Sequence, residues 1–492
     1  MTVMFWPVAI FMAISLAIGL YTYTKVRGSG ARFAVCERSL PFIVVGTALM
    51  AQAVDGNSTL GAVSLTYTSS VWAGLMISAG LALSLVMVGR FLAAPLNRMN
   101  LLTLPEFFYR RYGRQTELLV SIVTIVSFLI LIAGNLSAVA WVLSVVSGID
   151  YAPALVMAAL VIVAYTIAGG LYSAIWTDFF QEYLALVGFA AAAVWVLMTR
   201  GFSNLIAAVP ASTVDLSSLA SLKGGALVNW AGLVALVFGN AMALDFMERV
   251  FAARDGRTAR RACYYGAAMT MIIGMCVAII GIAGVAAVQG AADPRMVLPR
   301  MAVEVLPYWI GVLVFVGVLG ASMSTANGAM LVISVVLAQN VVQRRRPSID
   351  ADAGGSEPGR GATIAEDSKM LRLARLVALP TAAAAALVAY VRPEPGILLI
   401  VAFDIVFAGC VAPLFAGVYW PKANGAGAIA SIVVGTSARL IAHFVTPAAW
   451  AGLDTLIPPV LSVVAFYATC QLTWKSEESR HYVMTEAVQE GA

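Results

Sequence analysis

Five consecutive polar-capable positions, Asp55, Gly56, Asn57, Ser58 and Thr59, sit inside an apolar run from Pro41 to Leu65. A carboxylate, a carboxamide and two hydroxyls offer oxygen donors for a hard cation or partners for a polar solute. Gly56 and Gly61 each lower helix propensity by about 1 kcal/mol relative to alanine. Asn57, Ser58 and Thr59 can bond nearby backbone and compete with the helical ladder. The stretch 51–61 is therefore expected to be unwound. A second set of the same chemistry is Ser324 and Thr325, adjacent hydroxyls in "GASMSTANGA", residues 320–329. Such hydroxyls commonly bond back to the preceding turn, but facing carbonyls released by a broken helix they would complete an oxygen shell for sodium. A third is Phe238-Gly239-Asn240, which repeats a Gly-Asn pair inside another apolar run. Catalysis has less to draw on. The chain has two histidines, and its five cysteines are dispersed without zinc spacing.

The elements that carry these residues are membrane spans. Of 492 residues, 61% are hydrophobic and 11% charged, against about 25% charged in soluble domains; mean hydropathy is +0.90. Runs of about 20 apolar residues predict an all-α polytopic membrane protein of about 13 transmembrane helices, near 4–23, 41–66, 70–93, 118–146, 152–168, 179–199, 226–247, 262–288, 308–341, 371–391, 396–419, 425–446 and 453–474. Placing the N-terminus outside puts 24 of the 30 basic residues in cytoplasmic loops or the tail, as the positive-inside rule requires. The apolar N-terminus lacks a basic n-region and is read as a first span rather than a cleavable signal. The net charge of +5 is spent on topology, so no nucleic-acid partner is expected. Residues 343–370 are polar and charged and are expected to form a disordered cytoplasmic connector. With a short tail after Trp474 no soluble output domain is expected, which ranks a transporter-like sensor below transport, and the two dispersed histidines rank an integral membrane enzyme there too.

Aspartate at a bilayer centre costs about 2.5–3.5 kcal/mol on insertion scales. Irregular backbone is tolerated there only where protein covers it or it lines a cavity. Two interrupted spans five spans apart suit an inverted-repeat transporter. The alternative reading of each Gly-Asn pair is a packing notch.

"GGLYSAIWTDFFQ" (169–181) then carries a resemblance, supported by "LTLPEFFYRRYG" (102–113), "ERVFAARDGRTARRA" (248–262), "ASMSTA" (321–326) and "APLFAGVYWPKANGAGAIASIVVG" (412–435). These resemble the sodium:solute symporter family. The resemblance implies a leucine-transporter-type 5+5 inverted-repeat core with two broken helices, one extra span before it and two after. The implied division is 1–40 extra span and loop, 41–199 first repeat, 200–225 extracellular loop, 226–419 second repeat, 420–474 two further spans and 475–492 cytoplasmic tail. It implies a sodium site made by the carbonyls of Ala51, Val54 and Ala321 and the hydroxyls of Ser324 and Thr325. Asp178 would serve a second sodium or the ion's exit path. Ala321 stands where members with a second ion carry serine. Substrate candidates by position are Asn57, Ser58, Phe238 and Asn240, with Asp55 and Asp404.

Asp55 and Asp404 are expected at membrane depth without an obvious basic partner. An amine-bearing solute would compensate them; alternatively one is protonated, or Asp55 caps the half-helix beginning near Ser58. Asp245 and Glu248 are expected to pair with nearby arginines. The expected function is sodium-coupled symport of a small polar organic solute, an amino acid or other amine among the candidates. Proton coupling and a carboxylate or sugar solute remain open. Sodium is the expected coupling ion. The partners are the solute and the lipid bilayer, with no obligatory protein partner, and the location is a bacterial inner (plasma) membrane.

Overall fold

The computed structural model describes residues 4–26, 38–288, 293–337 and 364–474, with positions 290 and 340. The connector expected at 343–370 lies largely outside these. The fold is helical, with one isolated backbone bridge, Leu40 to Ala253, among the described residues. The main helices in chain order are α1 (Phe5–Val26), α2 (Phe42–Ala53), α3 (Gly56–Thr68), α4 (Val71–Met87), α5 (Arg114–Ser147), α6 (Tyr151–Arg200), α7 (Ala226–Gly239), α8 (Leu244–Ala252), α9 (Gly256–Ala287), α10 (Tyr308–Val336), α11 (Ile364–Val391), α12 (Pro395–Gly409), α13 (Val411–Tyr419), α14 (Gly425–Val445) and α15 (Leu453–Thr473).

Their boundaries follow local chemistry. Ser70, Asp255 and Asn424 cap α4, α9 and α14, each accepting a backbone N–H from the first turn. Gly148 ends α5 at φ 74°, in the left-handed region that suits glycine. Pro413 has no N–H to give the Gly409 carbonyl, and the ladder breaks at Cys410 between α12 and α13. The Ser431 hydroxyl donates to that carbonyl instead, at 3.1 Å.

Among the described residues, seven helices are long and apolar enough to cross a membrane, or up to nine if each of two bent pairs is one span. Those pairs are Ala226–Met242 with Leu244–Ala252, bent by 49°, and Leu376–Val391 with Pro395–Gly409, bent by 120°. The difference from about 13 has identifiable sources. The break at Val54–Asp55 leaves α2 and α3 with 12 and 13 residues, each too short to span alone. The spans expected at 152–168 and 179–199 form one uninterrupted 50-residue helix, α6. Glycine lowers helix propensity without removing a donor, so Gly169-Gly170 does not end it.

The core is organised around α10, 83% of whose apolar window is buried, while the windows of α14 and α15 are 22% and 28% buried. α10 packs along α6 and α5, and α9 packs on α2 and α4. α14 and α15 pair with each other at the periphery. The central position of α10 brings Ser324 and Thr325 against the broken α2–α3 pair.

Candidate functional site

The first break is shorter than the unwound 51–61 expected. Only Val54 and Asp55 leave the helical region, at φ −99°, ψ 103° and φ −134°, ψ 179°. The helix resumes at Gly56 because Asp55 and Ser58 form a reciprocal capping box. The Ser58 N–H donates to Asp55 Oδ1 at 2.7 Å, and the Asp55 N–H donates to Ser58 Oγ at 2.9 Å. In an uninterrupted helix these two N–H groups would serve the carbonyls of Ala51 and Val54, four residues back. The cap diverts both donors, so these two carbonyls are released from the ladder while every N–H concerned stays bonded.

Other elements close on the released edge. Gly56 lets the break approach α10: a Cβ there would lie 2.0 Å from Ser322 Oγ and 2.5 Å from Ala138 Cβ. Thr325 Oγ1 donates to the Ala51 carbonyl at 3.0 Å. Ala51, Val54, Ala321, Ser324 and Thr325 are all buried. Ser324 turns to Asp178, donating to Oδ1 at 2.5 Å, and the Arg249 guanidinium donates to Asp178 Oδ2 at 2.9 Å. Both members of this ion pair are fully buried. The Gln52 amide is best satisfied with its oxygen accepting from Arg249 at 2.8 Å, while its nitrogen donates to Asp245 Oδ2 at 3.1 Å. Of the expected sodium ligands, the Thr325 hydroxyl and the Ala51 carbonyl meet, and Ser324 links the next position on α10 to Asp178.

The other polar group at the break surrounds Asp55. Its Oδ2 accepts from Asn57 Nδ2 at 3.0 Å and from Asn135 Nδ2 of α5 at 2.7 Å. Among the described residues no basic side chain pairs with it. Asn57 and Asn135 keep buried Oδ1 atoms without hydrogen-bond partners.

The second break falls a few residues later than expected. A 3-10 turn over Asn240–Met242 precedes Ala243, at φ −64°, ψ 111°, and α8 starts at Leu244 with no side-chain cap. Asn240 donates to Ser84 Oγ of α4 at 2.9 Å, and its Oδ1 is unpartnered. Gly239 lies against the Phe403 carbonyl, 2.2 Å from where a Cβ would stand. The Gly-Asn pairs therefore sit differently, after the first break and before the second. Both glycines are close-packing notches.

Other expectations change. Asp404 does have a basic partner: Arg439 of α14 donates to it, and Thr455 Oγ1 of α15 donates at 2.9 Å. Arg439 also pairs with Asp454 at 3.2 Å. Asp404 thus faces the α14–α15 pair. Phe238 is 39% exposed and stacks on Phe407, with ring centroids 6.0 Å apart. It turns toward an outer groove, not the first break. Glu248 is buried, yet neither carboxylate oxygen has a hydrogen-bond partner. Asp245 meets Arg249 through its backbone carbonyl, at 3.1 Å.

Gln52, Asn135, Glu182 and Arg249 were not foreseen at the site. Gln52, Asn135 and Glu182 are strongly polar side chains in apolar runs, the signal that singled out Asp55, whereas Arg249 follows a span in a charged segment. Glu182, fully buried with both oxygens unpartnered, follows the resemblance motif by one residue.

Comparison with known proteins bears on the family and the fold. The model of the sodium:solute symporter family matches residues 33–435. The sodium/proline symporter of Staphylococcus aureus (strain JH9) is 25% identical over 502 residues, covering 95% of this chain and 92% of that protein. The human high affinity choline transporter 1 is 23% identical over 357 residues, covering 68% of this chain and 61% of that protein. A solved structure of a sodium-coupled sialic acid symporter, substrate-bound and outward-open, is 18% identical with a TM-score of 0.76, covering 96% of this chain and 98% of that one. That similarity shows a shared fold.

Proposed function

Because the chain belongs to the sodium:solute symporter family, a family of membrane transporters, we propose that it couples the inward movement of sodium to uptake of a small polar solute by alternating access. The observation that carries this reading is the diversion of the Asp55 and Ser58 N–H groups into a capping box. It releases two buried carbonyls from the ladder, and the Thr325 hydroxyl lies 3.0 Å from the Ala51 oxygen. A hard cation prefers such oxygen ligands, and they serve it without placing a full charge against it. The proposed ligands are the carbonyls of Ala51, Val54 and Ala321 and the hydroxyls of Ser324 and Thr325. Asp178, already paired with Arg249, lies next to this shell through Ser324 and is proposed as the ion's exit relay rather than a second full site.

The solute is proposed to sit on the other side of the break, against Asp55, Asn57, Ser58 and Asn240. Among the described residues Asp55 accepts only from neutral donors, so an amine on the solute, as in an amino acid, would supply the missing positive charge. With Asp404 paired to Arg439, Asp55 is the candidate acid that lies at the break itself. Sodium links to solute by stabilising the broken segment in the conformation the solute also binds; only such differential affinity couples two ligands. The 5+5 repeat, the division into 41–199 and 226–419, and an N-terminus outside a bacterial inner membrane complete the proposal.

The test is the melting curve of the purified chain with amines, amino acids, carboxylates and sugars, in sodium and again in potassium. A solute that stabilises only in sodium is the expected result, followed by its sodium-driven accumulation in proteoliposomes. A melting curve unmoved by sodium and by every solute would overturn the reading in favour of a proton-coupled or sensing role.

A further inference from the structure

An outer groove unrelated to the sodium shell runs between α4, α7 and α13. It consists of two contiguous hollows of about 360 and 480 Å³ that share Met87, Phe91 and Phe238. Its walls are almost wholly apolar and open to the surroundings. Leu83 is 45% exposed and Tyr419 45%. On a membrane span such surface meets acyl chains, not water. From Leu83 to Phe91 the groove follows eight helical steps, about 12 Å of rise, most of one leaflet of a hydrocarbon core about 30 Å thick.

The end of the groove is built differently from its walls. There α4 passes into a single π-helical turn, Val88–Leu92, a local distortion frequent at functional sites. The turn presents Arg90, which is exposed, with its guanidinium 5.4 Å from the Phe91 ring centroid. The Phe91 carbonyl accepts from the Tyr419 hydroxyl, fixing α13 to the turn. On the other side Gly89 packs beside the Arg260 carbonyl of α9. Arg260 carries a buried Nε without a hydrogen-bond partner. Arg90 and Arg260 both act electrostatically on Tyr419, and neither has an acidic partner among the described residues. An apolar slot one leaflet long, ending at two uncompensated arginines, matches a molecule with an acyl chain and an anionic head.

We propose that this groove is a binding site for an anionic phospholipid of the surrounding bilayer, with the phosphate held between Arg90 and Arg260 and one acyl chain lying along Leu83, Val86, Phe238 and Phe415. This assignment requires only that the chain be embedded in a membrane. It also gives Phe238 a role that its outward orientation denies it at the sodium break.

The test is native mass spectrometry of the full chain released from nanodiscs of phosphatidylcholine mixed with phosphatidylglycerol. The wild type should retain one phosphatidylglycerol in preference to phosphatidylcholine. Arg90→Gln and Arg260→Gln should each weaken that retention about fivefold, the effect of about 1 kcal/mol per basic residue at an anionic surface. Leu83→Trp, which fills the slot and keeps both arginines, should displace the lipid. Arg200→Gln, at the far end of α6, should leave it bound. Melting curves identify any variant that fails to fold, and the Leu83 and arginine variants probe the site independently. Equal retention of both lipids would mean an indiscriminate greasy surface. Unchanged phosphatidylglycerol retention in all three groove variants would place the lipid elsewhere. Either result overturns the proposal.

Discussion

The two breaks reach similar geometry by different chemistry. At Val54–Asp55 the chain satisfies itself: Asp55 and Ser58 exchange hydrogen bonds within four residues, and the helix restarts at once. At Asn240–Ala243 no side chain caps α8, and the segment depends on distant partners, Ser84 for Asn240 and Gln52 for Asp245. A self-capped break can hold its released carbonyls in place while neighbouring helices move. A break held by tertiary contacts changes when those contacts change. The first is suited to an ion site and the second to a moving gate.

The largest effect should come from removing the self-sufficient cap. Asp55→Ala deletes one acceptor of the capping box and leaves the Asn57 and Asn135 amides without their carboxylate. Uptake should be lost, with stability falling by about 1–3 kcal/mol for the buried donors left unsatisfied, read from chemical denaturation in detergent. Asp55→Asn retains an acceptor for the Ser58 N–H and should restore most of the stability while still failing to take up an amine. Equal destabilisation by both variants would break the distinction between cap and charge.

Next come the two glycine notches. Gly239→Ala would press a methyl against the Phe403 carbonyl, a backbone atom at 2.2 Å, and overpacking of this kind costs about 1–3 kcal/mol. Gly56→Ala meets Ser322 Oγ at 2.0 Å, so adding Ser322→Ala should recover part of its loss. No single side-chain change should rescue Gly239→Ala. Comparable rescue at both positions, measured by melting temperature, would show that the breaks tolerate crowding alike.

The smallest effect should be Asn240→Ala, which removes one buried hydrogen bond, worth about 0.5–1.5 kcal/mol. A solute KM that rises while the sodium dependence stays unchanged would assign this break to the solute side. A change in sodium activation alone would reverse that assignment.

Much of this architecture was legible in the chain. Apolar runs separated by arginine-rich loops predict the spans, and Asp55 among glycines predicts a break. The break is shorter than Gly56, Asn57 and Ser58 imply because Ser58, at the third helical position, completes the cap instead of competing with the helix. Two glycines did not split α6, since glycine weakens a helix without removing a donor. Tertiary pairing was the least legible part. Asn135 is 80 residues from Asp55, Arg249 is 71 from Asp178, and Arg439 is 35 from Asp404. Lone amides and carboxylates within apolar runs mark such residues, but not which of them meet.

The most direct measurement is a binding isotherm for radioactive sodium on the purified chain, beside Thr325→Ala. The released carbonyls of Ala51 and Val54 predict saturable binding to the wild type, weakened about tenfold, or about 1.4 kcal/mol, by loss of the hydroxyl. Absence of saturable sodium binding, or superimposable isotherms for the two proteins, would contradict the account.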